Sequence, residues 1–160
     1  MAVDYAHHEM HAGSFYFIKT WLLNNGASAT YDYFAFTTPD TEQEAHARVT
    51  LSSDADTTFQ IFEAGTITGG TPVAGINANR NSTNTANLAA VAAPTVSTEG
   101  SRIWAARTGG GRDPSGVSPS FGYEIIAKRN TTYVFKLTKN TSADTVMDID
   151  FFWYEHTPHG

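Results

Sequence analysis

The sequence predicts an all-β protein that forms a single antiparallel β-sandwich domain. The first observation is a period of two along the last part of the chain. In residues 146–153 every odd position is apolar, whereas Asp148 and Asp150 occupy even positions. A strand places alternate side chains on opposite faces, whereas a helix would mix these acids with their apolar neighbours. Residues 132–138 alternate in the same way, so both segments are predicted to be strands with one buried face.

The second observation is a series of short strand-like segments separated by turn residues. These segments are rich in aromatic and β-branched residues, and their close spacing favours an antiparallel sandwich or barrel. They comprise residues 14–23, 30–37, 45–52, 57–63, 102–107 and 121–128. The turn at 24–26 (NNG) predicts a hairpin between the first two, and the pair Arg129-Asn130 predicts a tight turn before the strand at 131–138. Residues 39–44 predict at most one helical turn.

The middle of the chain, residues 65–100, has a different composition. It is rich in Thr, Gly, Asn and Ala and poor in large apolar residues. We expect a long loop there with one or two weak strands near 84–91, and a second polar loop at 108–120. Long loops without their own structure are uncommon in compact domains, so this one is expected to have a function. The predicted organisation is a polar N-terminal arm, residues 1–12, followed by one sandwich domain, residues 13–160.

Composition excludes several classes of site and partner. The chain has no cysteine, which excludes disulfides and thiolate metal sites. Its net charge is −6 and its basic residues are scattered, so we expect no nucleic-acid partner. The apolar stretches are far shorter than the roughly 20 residues of a membrane-spanning helix, so no membrane partner is expected. The first residues lack the cationic and apolar regions of a secretory signal.

A histidine-rich segment, residues 7–11 (HHEMH), is the first candidate site. Imidazole and carboxylate groups can bind zinc or nickel, and His156 and His159 could lie nearby in a sandwich. The spacing differs from the helical H-E-x-x-H motif, and a strand is predicted directly afterwards. We therefore interpret the segment as a polar arm that contacts a neighbouring protein, and we predict no metal ion and no other cofactor.

Searches for catalytic groups give no candidate. Asp148 and Asp150 share the face of the last strand that is expected to be exposed to solvent, where no cleft for acid–base chemistry is indicated. No G-x-S-x-G motif occurs. The glycine run at 109–111 lacks the G-K-[ST] sequence of a phosphate-binding loop. We predict that the protein is not an enzyme.

Aromatic residues occupy both faces of the last strand at its end. Phe152 and Tyr154 alternate with Phe151 and Trp153, so both faces of this end are expected to be covered. Another part of the chain or a partner subunit could supply the second cover.

Four phrases in the chain resemble a known group of proteins. They are HEMHAGS at 8–14, NANRNS at 77–82, NTTY at 130–133 and FWYEHT at 152–157. Together they resemble small structural proteins of tailed bacteriophages that are encoded among head genes and identified as capsid decoration, or cement, proteins. The resemblance implies a jelly-roll or related sandwich on the outer capsid surface of a virion. It also implies a dimer or trimer that bridges subunits of the major capsid protein, and a homotrimer is favoured.

Under this interpretation the N-terminal arm and the loop near residue 80 contact the capsid or other subunits. The predicted contact residues are His7, His8, Glu9, His11, Asn79, Arg80, Asn81 and Ser82. One alternative is a module of a phage tail or fibre that binds a host receptor or glycan, because exposed Trp and Tyr beside Asn and Asp suit sugar binding. A further alternative is a cupin-like metalloenzyme, because jelly rolls can hold a His/Glu metal site.

Overall fold

The computed structural model describes residues 5–108 and 124–158, which form one short helix and thirteen strands. The predicted all-β class is confirmed. The elements are α1 (Tyr5–Ala12), β1 (Phe15–Asn24), β2 (Tyr31–Thr37), β3 (Glu44–Ser53), β4 (Thr57–Glu63), β5 (Thr66–Thr68), β6 (Thr71–Val73), β7 (Ile76–Asn77), β8 (Ala89–Ala92), β9 (Thr95–Thr98), β10 (Ser101–Thr108), β11 (Ile125–Ala127), β12 (Thr132–Lys139) and β13 (Thr145–His156).

Two antiparallel sheets pack face to face. The first sheet has the order β11-β3-β13-β1-β7, and the second has the order β10-β4-β12-β2-β8-β6. When β1–β4 and β10–β13 are numbered one to eight, the two sheets read 6-3-8-1 and 5-4-7-2, which is the strand order of a jelly roll. Consecutive strands of this set alternate between sheets, except β4 and β10. The predicted hairpin at 24–26 is therefore wrong, because that turn joins β1 in one sheet to β2 in the other.

Aromatic side chains fill the space between the sheets. The odd positions of residues 147–153 are all buried, and Asp148 is exposed, as the period of two predicted. The ring of Phe36 stacks on Phe151 across the sandwich at 4.7 Å and on Tyr133 at 4.9 Å between centroids. Burial of each such ring contributes about 1.5–3 kcal/mol to stability. The contact between Phe36 and Phe151 joins the two sheets, and the contact between Phe36 and Tyr133 lies within the second sheet.

The middle of the chain is more ordered than its composition predicts. Residues 65–100 contain five short strands and not a loop with strands only near 84–91. Strands β5 and β9 pair as a ribbon that places Ile67 and Val96 against Phe62 and Val134 on the outer side of the second sheet. The prediction failed because strands of two to four residues made of Thr, Ala and Val are too short to show a period.

Two smaller predictions also differ from the structure. Helix α1 occupies most of the predicted arm, although no helix was expected there. Residues 39–44 form bends and the start of β3, with no helical turn. The glycine run at 109–111, most of the expected loop at 108–120, residues 121–123 and His159 lie outside the described residues. Helix α1 has eight residues, and the described part of the chain contains no helix that could span a membrane.

Candidate functional site

Helix α1 is fixed to the sandwich by its C-terminal end. Gly13 follows the helix with a φ of 76°, in the left-handed region that glycine adopts without strain. The amide of Gly13 donates to the carbonyl of Met10 at 3.2 Å, and the amide of Ser14 donates to the carbonyl of Glu9 at 3.0 Å. These two bonds form a Schellman motif, which ends the helix and directs the chain into β1. In the sequence, Gly13 was the residue that could have indicated where this helix ends.

Glu9 lies on the inner side of α1. It is only 6% exposed, and its carboxylate accepts a short hydrogen bond from the Ser14 hydroxyl. The Nδ1 atom of His8 lies 3.4 Å from the other carboxylate oxygen. Glu9 therefore stabilises the junction between α1 and β1, and its carboxylate is not presented on the exposed side with the other predicted contact residues.

Three histidines lie on the exposed side of α1. His7 and His11 are one turn apart, and their Nε2 atoms are 3.1 Å apart, so one ring donates a hydrogen bond to the other. His8 is also exposed. Within the described ranges 5–108 and 124–158, no group of three or more potential ligand side chains is arranged to hold a metal ion.

The loop that follows β7 contains the second set of predicted residues. The side-chain oxygen of Asn77 accepts from the amide of Asn79 at 2.9 Å, and that of Asn79 accepts from the amide of Asn81 at 3.1 Å. The amide of Ser82 donates to the carbonyl of Asn79 at 2.9 Å. Asparagine side chains form such local turns readily. The consecutive turns fix the loop and leave Arg80 and Asn81 exposed.

The structure brings these two predicted segments together. The Nδ2 atom of Asn79 donates to the carbonyl of His11 at 3.2 Å, and the carbonyl of Gly13 accepts from Asn77 at 2.9 Å and from Asn84 at 3.2 Å. A Cβ atom on Gly13 would lie 2.4 Å from Oγ of Ser82, so the approach requires glycine. We define the helix–loop surface as His7, His8, His11, Asn79, Arg80, Asn81 and Ser82.

A buried carboxylate on β13 holds the far side of the same loop. Glu155 is 5% exposed and accepts from the amides of Asn87 and Leu88 at 2.9–3.0 Å and from the Trp153 indole at 3.0 Å. The predicted contact residues did not include Glu155, Asn77 or Asn84. The available signal for Glu155 was its position on the inward face of β13, where a charged side chain requires partners.

A cleft of about 350 Å³ lies on the other flank of α1, against the outer face of the first sheet. Within it, Glu124 accepts from the Tyr154 hydroxyl at 2.7 Å and lies 2.9 Å from Nδ1 of His46. Burial, followed by the bond to Glu124, raises the pKa of Tyr154 well above its usual value of 10. The hydroxyl therefore stays protonated above pH 10 and donates a hydrogen bond to Glu124. The cleft wall also includes Ala6, Phe15, Arg48, Val49, Thr50, Phe152 and Trp153.

Comparisons of the chain with protein-family models, curated proteins and solved structures found no match. The resemblance to phage decoration proteins therefore rests on the four sequence phrases. The role of the helix–loop surface has to be inferred from its geometry and chemistry.

Proposed function

We propose that this chain is a non-enzymatic structural protein of a tailed-phage virion. It decorates the outer capsid surface and stabilises the shell by binding across neighbouring subunits of the major capsid protein, and it does so as a homo-oligomer. The observation that carries the proposal is the helix–loop surface, in which two segments about 70 residues apart in sequence are joined by hydrogen bonds into one exposed patch.

The chemistry of this patch suits recognition of another protein. Its exposed amides, imidazoles and the guanidinium of Arg80 supply donors and acceptors without a dense charge of one sign. The loop's own hydrogen bonds fix most of its backbone, so little conformational entropy is lost on binding. None of the seven residues is a Trp, Tyr or Phe, the side chains on which sugar rings stack. This composition favours a protein partner over a glycan.

The fold is compatible with the same role. Jelly rolls occur in viral capsid proteins and in lectins, so the architecture fits both decoration and receptor binding. This support is an analogy at the level of the fold, and the composition of the helix–loop surface favours decoration.

A decoration protein stabilises a shell by linkage. A ligand that binds the assembled lattice and not the free subunits shifts the equilibrium towards the lattice. An oligomer binds the shell more tightly still, because its first contact raises the effective concentration of its remaining binding sites. Neither effect requires a catalytic group or a cofactor.

The location of the protein tests the proposal directly. Gold-labelled antibody against the chain is applied to intact virions of the phage that encodes it. Dense, even labelling of the head is the expected result. Labelling confined to the tail would overturn the proposal in favour of receptor or glycan binding, and unlabelled virions would overturn both.

A charge-reversal pair tests the surface itself. Purified Arg80→Glu protein is added to virions that lack the wild-type chain, and bound copies are counted by quantitative gel densitometry. We expect at least a tenfold loss of affinity, because the change places a carboxylate within the patch. Arg102→Glu is the matched control, because Arg102 is an exposed arginine on β10 outside the patch. Equal loss for both variants, or no loss for Arg80→Glu, would exclude this surface as the capsid contact.

A further inference from the structure

Strand β1 has a free edge along most of its length. It pairs with β13 from Phe15 to Asn24, but β7 covers its other side only at Tyr16 and Phe17. Among residues 5–108 and 124–158, no strand pairs with that side from Ile18 to Asn24. Within the described part of the chain, a seven-residue edge is therefore open.

The backbone hydrogen bonds show which residues of β1 direct their N–H and C=O groups to the open side. The carbonyl of Phe15 accepts from the amide of Ala78, on the β7 side of the strand. Because backbone groups alternate in direction along a strand, Lys19, Trp21 and Leu23 also direct their N–H and C=O groups to that side. No described residue pairs with these groups. Trp21 is 59% and Leu23 50% exposed, so the side chains leave the edge accessible.

The β1 edge lacks the usual protection against pairing. Strand β10, at an edge of the second sheet, has a bulge near Trp104 and carries the exposed Arg102. Bulges and charges of this kind prevent edge-to-edge contact. On the open part of β1, Lys19 is the single charged residue, and its Nζ atom lies 3.4 Å from Asp150 on β13. The neighbouring strand thus neutralises the one charge that could repel a second strand.

We propose that this edge pairs with β1 of a second copy of the chain, in antiparallel register about a two-fold axis at Trp21. The open stretch is bounded by β7 at Phe17 and by the end of β1 at Asn24, and Trp21 is its centre. In this register Trp21 faces its own symmetry mate and Lys19 faces Leu23. The three N–H and three C=O groups of each copy then pair in six hydrogen bonds.

The open groups of β1 are self-complementary, which favours a second copy of the chain as their partner. A shift of two residues in one direction places Leu23 opposite Phe17, which β7 already covers. A shift in the other direction places Lys19 opposite residue 25, beyond the end of β1. All antiparallel registers of two β1 strands are two-fold symmetric, and the register centred on Trp21 is the one that pairs every open group. The outcome is a dimer with a continuous sheet through both copies, in place of the trimer that the family resemblance favours.

Oligomeric state in solution tests this pairing. Light scattering coupled to size-exclusion chromatography on the purified full-length chain should give twice the monomer mass. Trp21→Lys should give the monomer mass, because the register would place two ammonium groups against each other. Tyr31→Lys, at another exposed aromatic residue of similar exposure on β2, should remain dimeric. Trp21→Pro should also be monomeric and folded, since its lost N–H faces the open side and not β13.

A cross-link tests the register even if a variant is destabilised. The chain has no cysteine, so Trp21→Cys introduces a single thiol. In the symmetric register the two Cα atoms are about 5.5 Å apart, within the range that a disulfide bridges. Mild oxidation should give a covalent dimer, and Tyr31→Cys should not.

Several results would overturn the pairing. A monomeric wild type at high micromolar concentration would do so. An oligomer unchanged by Trp21→Lys, or a Trp21→Cys variant that links no better than Tyr31→Cys, would also do so. The assays need no capsid, so their outcome is independent of the proposed decoration function.

Discussion

The outer face of the first sheet is covered at one end and open at the other. At the covered end α1 packs over Phe15 and Tyr154, and the ring of Tyr5 lies 5.7 Å from that of Tyr154. Tyr154 is only 4% exposed as a result. At the open end Trp21 and Leu23 stand on the same face of the same sheet with half or more of their surface in solvent.

The difference shows where the chain covers its own apolar surface and where apolar side chains stay exposed to solvent. The expectation that both faces of β13 are covered at its end is confirmed, and the cover is α1, a part of the same chain. No described element covers Trp21 and Leu23. The two ends should therefore respond differently to the same truncation.

The largest expected effect is on the covered end. Tyr154→Ala removes a buried ring and its hydrogen bond to Glu124, and should lower the free energy of unfolding by about 3 kcal/mol. Urea titration at pH 7 measures this change in the free energy of unfolding. Tyr154→Phe, which keeps the ring, should lose about 1 kcal/mol. If Tyr154→Ala cost no more than Tyr154→Phe, the cover supplied by α1 would contribute little to stability.

The sequence was sufficient to predict the long strands and the antiparallel β-sandwich class. The period of two is strong where one face is fully buried, as in β12 and β13. The sequence could not predict that β1 and β2 lie in different sheets. A turn of the same composition can join two strands of one sheet or two strands of different sheets. Short strands such as β6 and β7 gain their structure from pairing partners distant in sequence, which no local pattern records.

The candidate site could be predicted in part. The exposed residues of α1 and of the loop after β7 were expected as contacts under the family resemblance, but the contact between the two segments was not predicted. That contact depends on Asn77 and Asn84, whose amides converge on the carbonyl of Gly13. In a chain rich in asparagine, nothing local distinguishes these two from the exposed ones. The burial of Glu9 was also not predicted, since it follows from the packing of a helix that the sequence analysis had not assigned.

An intermediate effect is expected at alkaline pH. Burial raises the pKa of Tyr154, and burial together with a hydrogen bond to Glu63 raises the pKa of Tyr133 to about 12. The unfolded chain loses these protons from about pH 10, whereas the folded chain keeps them to higher pH. The stability from both groups is therefore complete below pH 10 and is lost as the pH rises above it, by roughly 1 kcal/mol per tyrosine per pH unit.

Urea midpoints at pH 9 and pH 11 measure this loss. Tyr154→Phe should be less stable than wild type at pH 9 but should fall less steeply towards pH 11. Parallel curves for the two proteins would mean that Tyr154 ionises as readily in the folded state as in the unfolded chain.

The smallest expected effect is on the open end. Trp21→Ala removes a larger side chain than Tyr154→Ala from the same face, but that side chain is mostly in solvent, so in dilute protein the free energy of unfolding should change by less than about 0.5 kcal/mol. Raising the protein concentration should increase the difference between the Tm values of the two proteins, because a dimer gains stability by mass action. The Tm of the wild type should rise with concentration, and that of Trp21→Ala should rise less, because this variant loses the contact between the two Trp21 side chains and keeps only the backbone pairing. If the wild-type Tm were constant, the open end would carry no self-association.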